Sequence, residues 1–133
     1  MEHNDFIEKT ANLVQKAYDY NLIKRKQGDS KLYDCLDADA LKARDIFELG
    51  MKLTADGADI NYIDMVLSNM INMEKNNTAR LYKIMQENAV LHIHDGINSW
   101  MLINMLLSFI TEKERAEAQS HIKDAGLLEL FKM

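Results

Sequence analysis

The 133-residue sequence has no proline, only five glycines and a single cysteine, Cys35. Proline and glycine are the residues that most often interrupt helices, so their scarcity favours long, uninterrupted helices. One cysteine cannot form an internal disulfide framework, and a reducing compartment is the simplest setting for it. We therefore expect an all-α protein without structural disulfides, in which Cys35 is a passive residue.

Long apolar runs and targeting signals are also lacking. The start of the chain, MEHNDFIEKT, is acidic and has no apolar central region, so no signal peptide is predicted. The most apolar segment, Ile97–Ile110, has 14 residues and includes Asn98 and Asn104, whereas a helix needs roughly 17–25 residues to cross a bilayer. We predict a buried helix of a soluble core here, no transmembrane insertion and a cytoplasmic location.

Positive charge is the third scarcity, because the formal net charge is −5. An acidic chain is a poor default partner for nucleic acid or for anionic lipid. The proportions of hydrophobic residues, 47%, and charged residues, 28%, are typical of a soluble globular protein. Residues 1–133 are enough for one helical domain with a substantial core.

Catalytic motifs are absent as well: there is no glycine-rich phosphate loop, no nucleophile elbow and no zinc signature. His92, His94 and Asp95 are weak candidates for a metal site, because imidazole and carboxylate are common metal ligands. However, the two histidines of a His-x-His step point to different faces of a helix, and Gly96 suits a helix end. We therefore predict a non-enzymatic protein without a cofactor.

What the sequence does contain is helical periodicity. It predicts a helical bundle of about five helices, built on an antiparallel helix hairpin with one long helix. The weak stretch Glu74–Thr78 leaves two alternatives for the long helix: it bends there, or its far half packs on something else. The expected helices are Asp5 to Lys24, a helix capped by Asp37 or Asp39 and reaching Thr54, Ile60 to Ile93, Ile97 to Ile110, and Glu112 to Asp124.

The stretch Leu49–Met73 predicts the helix hairpin. Gly57, after Asp56, stands where a left-handed residue ends a helix, and Asp59 can accept N–H bonds at the head of the next helix. A connection this short makes the two helices antiparallel. Gly50 marks a close helix crossing, because glycine inside a helix costs about 1 kcal/mol relative to alanine. The residues expected to point inward from the second helix are Tyr62, Ile63, Val66 and Met70.

The C-terminal region begins with a capping box, in which Thr111 is the cap and Glu114 follows three residues later. The helix that starts there is expected to be polar and to end at Gly126. The apolar tail, Leu127–Phe131, needs a groove on this chain or on a neighbour. An alternative description is that Thr111–Met133 forms a C-terminal docking extension.

Methionine is abundant, with nine residues. Seven of them fall inside the predicted helices, where methionine at helical spacing is more often part of a core than of an adaptable binding groove. These seven are Met51, Met65, Met70, Met73, Met85, Met101 and Met105.

The order of these signals from Asp5 to Ile110 carries a family resemblance. Phe47–Ile60 has the form F-x-x-G-x-x-L-x-x-D-G-x-D-I, follows the acidic linker Asp29–Asp39 and precedes Ile71–Glu74 and Ile97–Ile110. The arrangement resembles the cytoplasmic region of MotA, the flagellar stator subunit. In that family a helix ending near the counterpart of Asn21-Leu22-Ile23, an acidic linker and an L-x-x-G-x-x-L-x-x-D-G-x-D-P segment precede the third membrane helix. The most specific matches are Gly50, Leu53, Asp56, Gly57 and Asp59.

The resemblance implies a soluble, stator-like helical module that assembles with itself or with flagellar motor components. No counterpart of the family's first two membrane helices precedes Met1, Ile60 replaces the family proline, and Val90-Leu91-His92 replaces its Tyr-Ala-Pro step. We therefore do not expect ion conduction. The charges that contact the rotor in the family fall near Tyr18 and Lys26, which makes these two residues candidates for an interaction surface.

Self-association is also expected from the apolar pattern. The stripe of the long helix outruns a compact bundle, and the C-terminal tail adds apolar surface, so a homo-oligomer would bury both. The alternative is a helical adaptor, unrelated to motility, that holds a partner helix in a Met-rich groove. Further candidates for the interaction surface are Leu81, Ile84, Leu127, Leu128 and Phe131.

Overall fold

The computed structural model describes every residue from Met1 to Met133 and consists of helices and their connections, without a β-strand. The prediction of an all-α fold is confirmed, but the expected number of about five helices is wrong. The nine helices are α1 (His3–Gln27), α2 (Asp29–Asp34), α3 (Ala38–Lys42), α4 (Ile46–Ala55), α5 (Ile60–Asn72), α6 (Asn77–His94), α7 (Ser99–Leu107), α8 (Glu112–Gln119) and α9 (Ala125–Phe131).

The long helix expected from Ile60 to Ile93 is two helices, because the chain breaks between α5 and α6. Asn76 caps α6, since its side chain accepts the N–H of Ala79 at 2.8 Å. Glu74 in turn accepts the N–H of Asn76 at 3.1 Å. These side chains bond backbone groups that a continuous helix would pair internally, so the break leaves few of them unsatisfied. The two alternatives were a bend at Glu74–Thr78 and a far half that packs elsewhere. The structure instead interrupts the helix between Asn72 and Asn77, at the weak stretch.

The second expected helix is also divided. Asp37 caps α3 by accepting the N–H groups of Asp39 and of the next residue. Arg44 then has a φ of 57°, the only positive φ at a residue other than glycine, and α3 ends there. Asp45 caps α4, because its carboxylate accepts the N–H of Glu48 at 3.0 Å. The apolar period continues across this corner, which is why the sequence pattern alone did not reveal it.

The core is one continuous cluster of 26 buried apolar residues. Helix α1 lies against α2, α6, α7 and α8, and α6 lies against α1, α4, α5 and α7. The buried stripe of α1 recurs at helical spacing through Phe6, Leu13, Ala17 and Tyr20. The first helix and α6 therefore form the centre around which the shorter helices pack.

The helix hairpin predicted at Gly57 is present. Gly57 has a φ of +81°, and the N–H of Ala58 donates to the carbonyl of Leu53 at 2.9 Å, which closes the end of α4. The carboxylate of Asp59 accepts the N–H of Asn61 at 2.9 Å and caps α5. Helices α4 and α5 pack against each other as a result.

The close crossing predicted at Gly50 is also present. A Cβ atom at this position would lie 2.5 Å and 2.7 Å from the two methyl groups of Val90, and 3.1 Å from a methyl group of Leu67. Contacts under 3.0 Å are not tolerated by real side chains. Glycine therefore lets α4 approach α6 more closely than any other residue would.

The inward face expected for α5 is partly wrong. Ile63 is fully buried, and Val66 and Met70 are half-buried, but Tyr62 is 50% exposed. The buried stripe follows Ile63, Leu67 and Ile71 at steps of four. Tyr62 precedes this stripe by one residue, which turns its side chain away from the core.

The C-terminal capping box is confirmed. The hydroxyl of Thr111 accepts the N–H of Glu114 at 3.1 Å, and the carboxylate of Glu114 accepts the N–H of Thr111 at 2.9 Å. The expected end at Gly126 is wrong, because α8 ends at Gln119 and Gly126 lies inside α9. Asp124 starts this additional helix by accepting the N–H of Leu127 at 3.1 Å.

The apolar tail finds its groove on its own chain, since α9 packs on α7. Leu127 is completely buried in the common core. Helix α7 is shorter than the expected Ile97–Ile110, and it is not buried all round, because Trp100 and Met101 are exposed. None of the nine helices combines the length and the apolar character that crossing a membrane requires.

Candidate functional site

The outer side of α5 and its C-cap residue, Met73, carry three of the seven large apolar side chains that are exposed in this molecule. Tyr62, Met65 and Met73 are 50%, 54% and 80% exposed, and Asn69 is exposed between them. These four residues, at steps of three and four, share one face of the helix, which we call the α5 face. Asp64 is the only charged residue in the helix. The surface is thus apolar and nearly free of charge.

A smaller apolar surface lies on α7, where Trp100 is 39% exposed and Met101 is 49% exposed. Helix α6 packs against both α5 and α7. Both surfaces expose aromatic and methionine side chains and few charges. The centres of protein–protein interfaces, which become buried on binding, have the same composition.

The seven methionines in question divide between the core and the surface. Met51 and Met85 are fully buried, and Met70 and Met105 are half-buried. Met65, Met73 and Met101 are exposed and belong to the α5 face and to α7. The exposed methionines therefore lie on the α5 face and on α7 and do not line the core.

The other predicted interaction residues differ in how far they are exposed. Lys26 is exposed near the end of α1, and Tyr18 is half-buried against the start of α9. A Cβ at Gly126 would lie 2.8 Å from the Tyr18 hydroxyl, so a side chain at this position would displace that hydroxyl. Leu81 and Ile84 are half-buried against the core.

The C-terminal candidates offer little surface. Leu127 is fully buried and has no surface for a partner. Leu128 and Phe131 are half-buried against the same core. The tail is therefore part of the fold, and its side chains do not extend the α5 face.

The histidines of the weak metal candidate are held by backbone carbonyls. Nδ1 of His92 lies 2.7 Å from the carbonyl oxygen of Asn88, and Nε2 of His94 lies 3.0 Å from that of Ala58. The carboxylate of Asp95 is exposed and lies 3.7 Å from Nδ1 of His94. No group of three or more His, Cys, Asp or Glu side chains is arranged to hold a metal ion. The residues instead fix the end of α6 against the α4–α5 turn.

A buried polar cluster that the sequence did not reveal is centred on Glu48, which has no exposed surface. Its carboxylate accepts hydrogen bonds from the Tyr20 hydroxyl at 2.8 Å and from the N–H of Asp37 at 3.1 Å, and it pairs with the ammonium group of Lys16. Burial, together with the bond to Glu48, raises the pKa of Tyr20, so its hydroxyl stays protonated. The cluster ties α1, α4 and the start of α3 together.

A second polar cluster joins α5 to α6. The hydroxyl of Ser68 lies 2.9 Å from Oε2 of Glu87 and 3.2 Å from Oδ1 of Asp64. Burial raises the pKa of Glu87, and the nearby Asp64 raises it further. One hydroxyl proton cannot serve both carboxylates, so a proton on the acid pair is favourable here.

The two polar clusters have their partners within the chain, whereas the α5 face has none. Comparison of the chain with protein-family models, with curated proteins and with solved structures finds no match. The α5 face is therefore the candidate functional site on physical grounds.

Proposed function

We propose that this chain is a non-enzymatic, MotA-like helical module that binds a protein through the α5 face. The observation that carries the proposal is the position of that face. The residues most similar to the stator family, Gly50 to Asp59, form the helix hairpin that ends in α5. The same hairpin, with the C-cap residue of α5, thus carries both the family resemblance and three exposed apolar side chains, Tyr62, Met65 and Met73.

The chemistry of the face supports a protein partner. Exposed apolar patches on soluble proteins usually mark interaction sites. Tyrosine and methionine are enriched at the centre of such interfaces, where charged residues are depleted. The partner is a second copy of the chain or a component of the flagellar motor.

The surface proposed for self-association differs from the one expected from the sequence. The long helix and the free tail that suggested it are absent, because α5 and α6 are separate and α9 is docked. The α5 face takes their place as the apolar surface that a dimer would bury. Substitutions of Leu81 or Ile84, which pack on the core, would disturb the fold before they disturbed an interface.

Light scattering on the purified chain and on a Met65→Glu, Met73→Glu variant tests the self-association. We expect an oligomer for the unmodified chain and a shift towards monomer for the variant. Asn4→Glu, which adds a charge at an exposed position of α1, is the matched control and should leave the mass unchanged. A monomer at high micromolar concentration of the unmodified chain would exclude self-association.

The motility role is tested separately in the native host. Deletion of the gene should reduce swimming speed, and the unmodified gene should restore it. The Met65→Glu, Met73→Glu variant should fail to restore swimming at equal protein level, whereas Asn4→Glu should succeed. Normal swimming of the deletion strain would contradict the stator-like role.

A helical adaptor unrelated to motility is the second candidate, and a groove of about 430 Å³ between α7, α8 and α9 favours it. Its apolar lining includes Ile103, Leu107 and Phe131, with Arg115 at its polar side. None of the seven helix methionines lines this groove, so it differs from the Met-rich groove expected from the sequence. A partner that is lost on Arg115→Glu, an exposed position of the groove, but kept on Met65→Glu would favour the adaptor.

A further inference from the structure

Three helices in this molecule end in the same way. In each, a residue with positive φ donates its N–H to the carbonyl three residues earlier. The residue after it donates its N–H to the carbonyl five residues before itself. At the ends of α4 and α6 this residue is glycine, namely Gly57 and Gly96, with φ of 81° and 78°. At the end of α3 it is Arg44, with φ of 57°. Arginine is penalised in this conformation and glycine is not. An arginine at this position therefore suggests that its side chain has a function beyond stabilising the fold.

Arg44 lines a cavity of about 280 Å³ between α1, the α3–α4 corner and α6. Lys9 of α1 and Tyr82 and Lys83 of α6 line the same cavity. A smaller cavity of about 160 Å³ adjoins it, because Asp45 and Tyr82 line both. We call the larger of the two the Arg44 cavity.

The acidic groups of the Arg44 cavity are already bonded. One oxygen of Asp45 accepts the N–H of Glu48 at 3.0 Å, and the other accepts the side-chain amide of Gln86 at 2.8 Å. Glu74 pairs with Lys83 at 2.9 Å and also accepts a backbone N–H. Each oxygen of these two carboxylates therefore already has a partner within the chain.

Two side-chain cations of the cavity form no ion pair with a carboxylate. The eight ion pairs of the molecule include neither Lys9 nor Arg44. The ammonium group of Lys9 lies 5.9 Å from the ring centroid of Tyr82, on the face of the ring. The uncommitted charge of the cavity is thus positive in an otherwise acidic protein.

Tyr82 supplies an apolar wall and a polar group. Burial raises the pKa of Tyr82, and Asp45 raises it further, so the hydroxyl keeps its proton and can donate. The ring and the side chains of Ile46 and Ala79 give the cavity an apolar part beside its cations.

We propose that the Arg44 cavity binds a small organic phosphate, whose anionic group contacts Arg44 and Lys9 and whose organic part packs against the apolar lining formed by Tyr82, Ile46 and Ala79. Arginine forms paired hydrogen bonds with phosphate oxygens, which a lysine alone does not provide. This site uses α1, the α3–α4 corner and α6, and it does not depend on the protein-binding role of the α5 face.

Titration of the ¹⁵N-labelled chain with phenyl phosphate, followed by amide chemical shifts, tests the proposal. We expect saturable shifts confined to the neighbourhoods of Lys9, Arg44 and Tyr82. Phenol, which has the ring without the phosphate, should bind at least tenfold more weakly, and benzoate measures how far a carboxylate can replace the phosphate.

Arg44→Gly is the decisive variant, because glycine suits the left-handed backbone and removes only the guanidinium group. Its melting temperature should stay the same or rise, while its Kd for phenyl phosphate should increase at least tenfold. Lys9→Gln should also weaken binding. Lys42→Gln, an exposed lysine of α3 that does not line the cavity, is the control and should bind normally.

Three results would overturn the proposal. One is the absence of saturable shifts with phenyl phosphate. A second is an unchanged Kd in Arg44→Gly, which would show that the arginine is not part of a site. The third is an equal loss of binding in Lys42→Gln, which would reveal a general effect of surface charge.

Discussion

Glu48 is the only charged residue among the fully buried ones, and its neighbours explain how the fold accommodates it. A buried carboxylate is unfavourable unless it is paired and hydrogen-bonded. Lys16 supplies the opposite charge, and the Tyr20 hydroxyl and the N–H of Asp37 supply hydrogen bonds. The ring of Tyr20 also stacks on Phe47, with centroids 5.5 Å apart, so the polar cluster is continuous with the apolar core.

The contrast between Glu48 and Asp59 shows what a sequence can reveal at the residue scale. The carboxylate of Asp59 accepts a backbone N–H two residues further along the chain. Thr111 and Glu114, three residues apart in the sequence, form hydrogen bonds with each other. Such caps depend on neighbouring residues and could be predicted. Glu48 depends on Tyr20, 28 residues earlier, so no local pattern distinguishes it from an exposed glutamate.

Gly57→Val should destabilise the protein by about 1–2 kcal/mol, because a β-branched residue is disfavoured in the left-handed region. No other atom lies within 4 Å of the position that a Cβ would take, so backbone strain alone causes the loss. Urea unfolding of the variant and of the unmodified chain measures the difference. Gly57→Asn should lose less, since asparagine tolerates this conformation. Equal stability of the valine variant would contradict the expected role of Gly57.

At the scale of helices, the pattern predicted that apolar stripes are present, but it missed the buried Leu67 and Ile71 and did not show where helices stop. The period of the stripe continues from Ile63 to Ile93 through the α5–α6 break, since both helices bury residues in the same core. The break depends on Asn76 and Glu74, whose side chains bond nearby backbone N–H groups. Asparagine and glutamate also occur inside helices, so their capping role becomes clear only from the geometry.

Gly50→Ala should destabilise the crossing of α4 and α6. Val90 has a stiff, branched side chain and cannot move away from the new methyl group, so steric overlap should cost about 1–3 kcal/mol. Alanine recovers roughly 1 kcal/mol of helix propensity, which leaves a net loss of up to about 2 kcal/mol. Unfolding in urea measures this loss.

The Val90→Ala background provides the control for this crossing. Gly50→Ala should be much less harmful there, because the methyl groups that it meets are gone. The two substitutions should therefore be strongly non-additive. Additive losses would show that the close approach of Gly50 to Val90 does not limit the packing.

The acid pair between α5 and α6 should make stability depend on pH. The pKa of Glu87 in the folded protein is raised above its ordinary value of 4.5, by burial and then by Asp64. Its contribution is therefore full below about pH 4.5 and is lost as the pH rises through the folded pKa. Glutamine cannot ionise. When the pH is raised from about 4 to about 7, the melting temperature of Glu87→Gln should therefore fall less than that of the unmodified chain.

A matched substitution separates this effect from general charge. Glu129→Gln removes an exposed acid of α9 and should leave the pH profile of the melting temperature unchanged. Parallel profiles for Glu87→Gln and the unmodified chain would contradict the proton-sharing arrangement at Ser68.

At the scale of the whole molecule, the C-terminal region is part of the common core. Ala118 and Leu127 are completely buried, and Ile122 is 7% exposed. Helix α8 lies against α1, and α9 lies against α7. The sequence revealed that Leu127–Phe131 needed a groove, but choosing between its own chain and a neighbour required the three-dimensional arrangement.

Removal of residues 111–133 should lower the melting temperature strongly and broaden the unfolding transition. The truncation uncovers the sides of α1 and α7 that α8 and α9 now bury, and it removes three core side chains. Removal of Lys132 and Met133 alone, which are exposed, should have little effect. Circular dichroism during heating measures both, and an undisturbed melt of the long truncation would show an independent core in residues 1–110.

The central position of α1 also determines the order in which the fold can close. Helix α1 is synthesised before the other eight helices, yet three of the helices that cover it, α6, α7 and α8, lie in the second half of residues 1–133. The part of its apolar side that these three helices bury therefore stays uncovered until they have been made, and exposed apolar surface promotes aggregation. The hairpin of α4 and α5 joins neighbouring segments and can form early, whereas α1 must wait for the last helices.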